Sequence, residues 1–533
     1  MKKVSVLAML LMVFIQANSQ SAKWSHRVIT TSRCGSTNGH DVVFDNLGNT
    51  FGLFNVTNPI NNPVGCLDQN DLAVIKYNSS GNQTAYFEYD LDGLTSNDYP
   101  VTLKRESNGN IYTVANNGPW TYLLKLNSAL VLQWEARFYG ITGVDLVIAN
   151  SGAFVIANNA AGAVILKYRK TDGLLLDYDI NIDAQVSEAR TSGSAIAITG
   201  YKNTATNAKA CFTALYDTTV ALQWEKLHNG QNGATDDFGV QVQLINNNVY
   251  TLAKSFQSAS GNDYVVIKYD LAGTQLFNRR FKNSGMADDS PVDMEIDAVN
   301  NNIYFGGNTS ISNNWIFYRL NSNGTQRWKK TFNTNAGVMN QIMAITINAT
   351  TTDSATKVFA CGSYDVNSPD WGSGARYFVL GLNANNGTTA LIDTTNFFES
   401  NSSLNLSEVK VNSSVSPKEL VVIGGGYPHP GFAVDDKEIY IKCYTNASLL
   451  NQDTRTMNEQ EAAFQIVPNP ALDYFVIDGL NEDVPITVYD AKGSIVEKLV
   501  YDGNALNCST WLKGIYTLEF TINSKPERVK VIK

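Results

Sequence analysis

The stretch Tyr264-Val265-Val266-Ile267-Lys268-Tyr269-Asp270-Leu271-Ala272-Gly273-Thr274-Gln275-Leu276-Phe277 decides the reading of this chain. An apolar, β-branched run is followed by Asp270–Gly273, which is turn chemistry, and then by an aromatic; the pattern is strand, tight turn, strand. The stretch returns along the chain. Copies run through Ile75-Lys76-Tyr77 with Gly81, Leu124-Lys125-Leu126, Leu166-Lys167-Tyr168 with Gly173, and Ala214-Leu215-Tyr216. Others run through Tyr318-Arg319-Leu320 with Gly324, Leu380-Gly381-Leu382 with Gly387, and Ile441-Lys442-Cys443-Tyr444. Aligned at Lys76, Lys125, Lys167, Leu215, Lys268, Arg319, Gly381 and Lys442, the spacings are 49, 42, 48, 53, 51, 62 and 61 residues.

A second module precedes these copies: a strand, a Gly/Asn turn, and a strand ending in small residues. Val42–Phe51 with Gly48-Asn49, Leu103–Val114 with Gly109-Asn110, and Met294–Gly307 with Asn300-Asn301-Asn302 are examples. The two modules make four antiparallel strands per unit, A to D. Repeats of this length with several strands each are the signature of propeller blades. The fold class is therefore all-β: a β-propeller of four-stranded antiparallel blades, followed by a small C-terminal β-sandwich. Eight blades is the favoured count, and seven follows if one unit is misread. The last unit has no strand D, whereas Trp24-Ser25-His26-Arg27-Val28 matches Trp134-Glu135-Ala136-Arg137-Phe138. Trp24–Thr30 is expected to supply the missing strand and close the ring, removing two open sheet edges.

The chain is long enough for more than one domain: it has 533 residues. Charged residues make up 17% and the net charge is −9, which gives a nucleic-acid role no electrostatic support. Lys2 and Lys3 precede an apolar run, Val4–Ile15, and Ala17-Asn18-Ser19 fits a cleavage site; residues 1–19 read as a signal peptide. That run is too short to span a bilayer, so no transmembrane segment is expected in the mature chain. Residues 20–445 are assigned to the propeller, 446–460 to a polar linker and 461–533 to a C-terminal secretion sorting domain of Ig-like β-sandwich type. Cys34 and Cys66 flank the first blade and are candidates for a disulfide outside the cell. Cys211, Cys361 and Cys443 fall within strand patterns and read as buried thiols. Cys508 stands alone in the last domain. No Cys-x-x-Cys occurs, which argues against structural zinc.

In the last domain, Pro468-Asn469-Pro470, Val488-Tyr489-Asp490 with Gly493, Leu512 with Gly514-Ile515-Tyr516, and Lys530-Val531-Ile532-Lys533 occur in order. This stretch resembles the type A C-terminal sorting domain of the bacterial type IX secretion system, with Pro468, Asn469, Pro470, Gly514 and Tyr516 as its motif residues. The resemblance implies a Bacteroidetes-type bacterium, signal-dependent passage to the periplasm, and transfer across the outer membrane by the type IX machinery. It implies a final place either secreted or attached to the cell surface. The propeller units resemble SBBP repeats, the bacterial seven-bladed β-propeller family. That likeness rests on Asp237 and Asp289 before strand A, Gly109-Asn110-Ile111-Tyr112, and Val265–Tyr269 with Gly273. It implies no particular activity.

Strand reversal puts the B→C and D→A connections on one face of the ring. Asn55–Gln69, Asn116–Thr121, Val366–Arg376, Tyr427–Lys437, Asn229–Asp237 and Lys282–Asp289 read as the long loops, so that face is expected to be the working one. Trp120, Trp371, Tyr427 and His429 lie in those loops and are the candidate ligand-binding residues, for a glycan or a protein partner. For any single ring, folding back to cap its own blade is the competing reading. Asp41, Asp98, Asp145, Asp237 and Asp289 read as one position before strand A, where Asx-turn bonding is favoured over cation binding. Asp90-Leu91-Asp92-Gly93 has the start of a calcium loop without the remaining ligand spacing, so no cofactor is expected and calcium is the weak alternative. Only four histidines occur, with no metal-binding spacing, nucleophile elbow or phosphate loop; the sequence favours a binding protein over an enzyme. The alternatives are a glycan-active hydrolase or lyase using loop carboxylates, and a structural or adhesive surface component.

Overall fold

A computed structural model describes residues 23–30, 38–57, 70–91, 97–205, 208–230, 235–282, 288–310, 314–332, 340–351, 356–368, 372–393, 402–428, 437–445, 465–467, 474–478, 484–490, 493–501, 506–522 and 525–533. The chain divides into two compact units, one up to Asn451 and one from Gln452. In the first, the described residues form eight four-stranded antiparallel sheets. Their first strands are Asn38–Phe44, Tyr99–Arg105, Thr142–Ala149, Ala184–Ser192, Asp237–Ile245, Asp289–Ile296, Asn340–Asn348 and Ser402–Asn412. These pack side by side in cyclic order, the last against the first. The unit is a β-propeller, with the first strands around its axis and the fourth strands at its perimeter.

The eighth sheet draws on both ends of the unit. Trp24–Thr30 pairs antiparallel with Lys437–Thr445, from Trp24 opposite Cys443 to Thr30 opposite Lys437. The repeat's Trp and its turn glycine explain how one blade locks on the next. A Cβ on Gly173 would lie 2.6 Å from Trp134 of the preceding blade, and one on Gly273 2.9 Å from Trp224. The same joint closes the ring, because a Cβ on Gly81 would lie 2.5 Å from Trp24. These turn glycines also hold φ between +74° and +89°, so conformation and close approach both require glycine there. Trp24 is buried, stacks on Tyr77 with centroids 5.8 Å apart, and joins an apolar cluster with Phe54, Ile75, Ile423 and Ile441.

Every first strand carries a β-bulge at one shared position. The register shifts between Gly39 and Asp41, Pro100 and Thr102, Gly143 and Asp145, and Val186 and Glu188. It shifts likewise between Gly239 and Gln241, Pro291 and Asp293, Ile342 and Ala344, and Leu406 and Glu408. A bulge inserts one residue and re-aims those after it. Asp41, Thr102, Asp145, Glu188, Gln241, Asp293, Ala344 and Glu408 are therefore the equivalent residues of the eight blades. The single aspartate position expected from sequence is two positions. Asp98, Asp237 and Asp289 lie four residues upstream of this ring, while Asp41 and Asp145 are in it.

The loop lengths also differ from expectation. Ile111–Asn117 and Trp120–Leu126 are joined through Gly118-Pro119 alone, and Ser368 pairs with Gly372, so two expected long loops are hairpin ends. Residues 413–418 connect the strands Ser402–Asn412 and Glu419–Pro428 on the opposite face, so length does not separate the two faces cleanly. In the second unit, Ile495–Tyr501, Val484–Tyr489, Ile515–Ile522 and Lys525–Ile532 form one sheet, and Gln465–Val467, Tyr474–Asp478 and Leu506–Asn507 a second. Val488, Cys508, Trp511, Leu518 and Val531 lie in the core of this unit. Cys211, Cys361 and Cys443 are buried free thiols, as expected; Cys508 is buried in the core of the second unit. Cys34 and Cys66 lie outside the described residues.

Replacing Trp24 by alanine removes the ring-closing joint. Trp24→Ala is expected to lower the unfolding free energy by about 3–5 kcal/mol in urea denaturation. Leu222→Ala, at an exposed position of another perimeter strand, is expected to stay within about 0.5 kcal/mol.

Candidate functional site

Two candidate residues, Trp120 and Tyr427, lie on strands at hairpin ends rather than in loops. Trp120 opens the third strand of the second blade, opposite Asn117 and Tyr139. Its ring meets the Tyr139 ring edge-on at 5.0 Å, and the Arg137 guanidinium lies 5.3 Å from its centroid. One side of Trp120 packs on the core between the first two blades. The group is not sealed: Tyr139 is 63% exposed and Tyr99, two strands away, is 57% exposed. Trp120 thus caps its blade and also belongs to an open aromatic platform with a cation. Tyr427 lies in the strand Glu419–Pro428, opposite Ser403. Trp371 and His429 lie outside the described residues, as do Pro468, Asn469 and Pro470.

Carboxylates sit beside this platform. Oxygens of Asp71, Asp90 and Asp98 all lie within 4.8 Å of one another, and among the described residues this is the group able to hold a metal ion. Asn117, the strand partner of Trp120, donates to Asp98 at 2.7 Å; Leu91 and Leu72 N–H groups donate to its other oxygen at 3.2 and 3.4 Å. Asp98 is 1% exposed, and burial pushes its carboxyl up to about 7, with the Asp71 charge adding to the shift. The fifth blade shows what is particular here. Its Asp263 matches Asp71 and is paired with Arg280 at 2.9 Å, with Asp289 on the following strand in the place of Asp98. By register, the position of Arg280 holds Glu88 in the first blade. The corner between the first and second blades therefore exchanges a cation for an acid.

The inner ring is a second concentration of charge. Asp41 accepts from the Leu103 N–H of the next blade at 2.8 Å, Asp145 from Ala189 at 3.1 Å, Glu188 from Val242 at 3.0 Å, and Asp293 from Ile345 at 2.6 Å. Gln241 accepts from Met294 N–H in the same way. These oxygens stitch five neighbouring pairs of blades together. Lys104 and Arg190 each lie 3.4 Å from Asp145, Arg190 also pairs with Glu188, and Lys410 pairs with Asp41. Burial pushes Asp41 up, but Lys410 and Lys104 overcome it and hold the carboxyl at about 2. Burial raises Glu188 and Glu295 to about 8 and Glu408 to about 7. The Asp293 charge adds to each of these shifts, and Arg190 opposes those of Glu188 and Glu295. These acids gain their main partners only through the bulge, which sequence alternation does not reveal. Lys104, Arg190, Glu295 and Lys410, each two residues past the bulge position, are charges on core strands and were the available signal.

In the terminal unit, Gly514 exchanges both backbone hydrogen bonds with Lys533 at 3.1 and 2.9 Å. The Tyr516 hydroxyl donates to the Leu512 carbonyl at 2.7 Å, and its ring lies 4.7 Å from Trp511. The two motif residues thus fix the start of the strand Ile515–Ile522. Residues 465–533 match the sequence family described as Secretion system C-terminal sorting domain. This segment is a type IX sorting domain. It implies export to the cell surface or secretion through the type IX machinery.

No curated protein matches the chain in sequence. Among solved structures, the Dos1 propeller is similar at 11% identity and TM-score 0.46, over 79% of this chain and 95% of that one. The computationally designed Ika8 protein gives 10% identity and TM-score 0.43, over 77% and 97%. PorZ, a surface component of the type IX secretion system of Porphyromonas gingivalis, gives 9% and TM-score 0.24, over 93% and 81%. The architecture rests on the strand pairing above rather than on these likenesses. No helix among the described residues is long and apolar enough to cross a membrane.

The inner acids set a pH dependence. Glu188, Glu295 and Glu408 sit at about 8, 8 and 7 when folded against 4.5 in the open chain, so the folded state holds protons that unfolding releases. Their contribution is intact below the unfolded value and is lost as pH rises through the folded values. Asp41 runs the other way: its contribution is present above 3.8 and lost as pH falls through about 2. Glu295→Gln is expected to raise the melting temperature near pH 9 and to leave it unchanged near pH 4.5. An equal shift at both pH values would show that ionisation of Glu295 is not the cause.

Proposed function

We propose that the protein is an exported β-propeller that holds a glycan at the corner between its first and second blades. The observation that carries this reading is the open Trp120–Tyr139–Arg137 platform, beside a carboxylate group in which Asp90 is half-buried and Asp71 and Asp98 are buried. A sugar ring offers an apolar C–H face and a rim of hydroxyls. Aromatic faces suit the first, and carboxylates and a guanidinium, as acceptors and donors, suit the second. A protein partner is the other ligand class compatible with such rings. The sorting domain supports the setting, because an exported protein meets glycans outside the cell.

Hydrolysis is the second reading, and Asp98 is the observation that favours it, since a carboxyl near 7 suits a general acid. The surroundings of Asp98 weigh against it. Both of its oxygens are engaged by interior donors and it is almost fully buried, so it anchors the corner rather than reaching a glycosidic oxygen.

A glycan array probed with the full-length mature chain tests the proposal. Trp120→Ala and Tyr139→Ala are each expected to weaken binding to the best array ligand about tenfold or more, roughly 1.4 kcal/mol, while Leu227→Ala leaves it unchanged. Absence of binding across the array would overturn the glycan reading. Cleavage of a bound glycan that Asp98→Asn abolishes would replace it with the hydrolytic one.

A further inference from the structure

One arc of the propeller's perimeter is basic. The fourth strands of the fifth and sixth blades, Gln275–Phe281 and Gln326–Phe332, carry Arg279, Arg280, Arg327, Lys329 and Lys330 and no acid. Those of the first and third blades carry Glu88, Asp177 and Asp179 and no cation. Register puts a cation at one repeated position, two residues past the aromatic, in three successive blades. Lys226 lies opposite Thr213, Arg279 opposite Val266 and Lys330 opposite Phe317. The second and third blades hold Ala136 and Asp179 at that position. Each of the three stems lies over the turn glycine of the following blade. A Cβ on Gly273 would be 3.2 Å from Lys226 Cε, one on Gly324 3.1 Å from Arg279 Cγ, and one on Gly387 2.9 Å from Lys330 Cγ. The three cations therefore stand at successive seams, from the fourth blade to the seventh. Lys226 and Arg279 are exposed and Lys330 is half-buried.

Among the described residues none of these three is ion-paired; the Arg279 guanidinium donates to the Asn278 carbonyl at 3.3 Å. Cations nearby are neutralised: Lys202 pairs with Glu225 at 2.8 Å and Arg280 with Asp263 at 2.9 Å. Packing the stems on the seams holds the unpaired charges in a row and keeps the potential there positive, although the chain as a whole carries −9. A compact anion reaches one such cation. A linear anion with a charge on successive units reaches all three, and carboxylates or sulfates accept from ammonium and guanidinium groups in charge-assisted hydrogen bonds. The sorting domain implies export, and the arc exposes no aromatic ring on which a base could stack, so both observations favour an acidic polysaccharide over a nucleic acid. We propose that the arc formed by Lys226, Arg279 and Lys330 binds an acidic polysaccharide along the seams of the fourth to seventh blades. This surface is separate from the corner between the first and second blades.

Biolayer interferometry of the full-length mature chain on immobilised polygalacturonate and dextran sulfate, with uncharged dextran as the reference, tests this. The wild-type chain is expected to bind at least one of the two acidic polymers and not dextran, and the binding is expected to fade as added salt screens the charges. Lys226→Gln, Arg279→Gln and Lys330→Gln combined are expected to weaken it about tenfold or more. Arg169→Gln, Lys498→Gln and Lys513→Gln combined remove the same charge from exposed positions elsewhere and are expected to change it less than about twofold. If the first triple variant melts early, Lys226→Gln with Arg279→Gln, both exposed, replaces it. Binding to neither acidic polymer overturns the proposal, as does equal binding to dextran. So does an equal loss in the two triple variants, or binding that the arc substitutions leave intact.

Discussion

The pairing of Trp24–Thr30 with Lys437–Thr445 is the constraint on which the rest depends. Each blade buries an apolar face only because the next blade covers it, so a chain of such sheets has two unsatisfied ends. Joining the ends converts two exposed faces and two free edges into one more blade contact. The joint uses the same parts as the internal ones: an aromatic on the perimeter strand seated over a turn glycine of the following blade. Trp24 on Gly81 is therefore the counterpart of Trp134 on Gly173, separated in sequence but equivalent in space.

At the axis, the same problem is solved with charge. The first strands cannot bring large apolar side chains together around a narrow ring, and the bulge position holds a polar residue in every sheet but the seventh, which has Ala344. Carboxylates there accept backbone N–H groups from the neighbouring blade, and three cations offset part of their charge. The offset is incomplete. Glu295 and Glu408 lie among other acids, which is why they retain protons at values where surface carboxyls have lost them. At the corner of the first and second blades the register instead places an acid, Glu88, where the fifth blade has Arg280.

Much of this was legible from the repeat. The Lys-Tyr strand followed by a glycine turn gave the blades, and the likeness of Trp24–Val28 to Trp134–Phe138 gave the closure. The Gly-Ile-Tyr motif gave the sorting domain. What escaped has a common physical cause. A bulge shifts side-chain phase by one residue, so the ring acids Asp41 and Asp145 read like Asp98 and Asp237, four residues earlier. Pro119 looked like part of a loop, but Gly118 and Pro119 are a complete hairpin connection, and Trp120 begins a strand. The partners of Trp120, Tyr139 and Arg137, are set by cross-strand register, which the sequence does not carry locally.

Amide hydrogen exchange in Lys437–Thr445 tests ring closure most directly. Those amides that face Trp24–Thr30 are expected to be protected to the same degree as amides in interior strands such as Tyr264–Tyr269, because both are paired on two sides. Exchange at the rate of a free sheet edge, in a chain whose other blades remain protected, would contradict the closure and with it the account of how the eight sheets hold together.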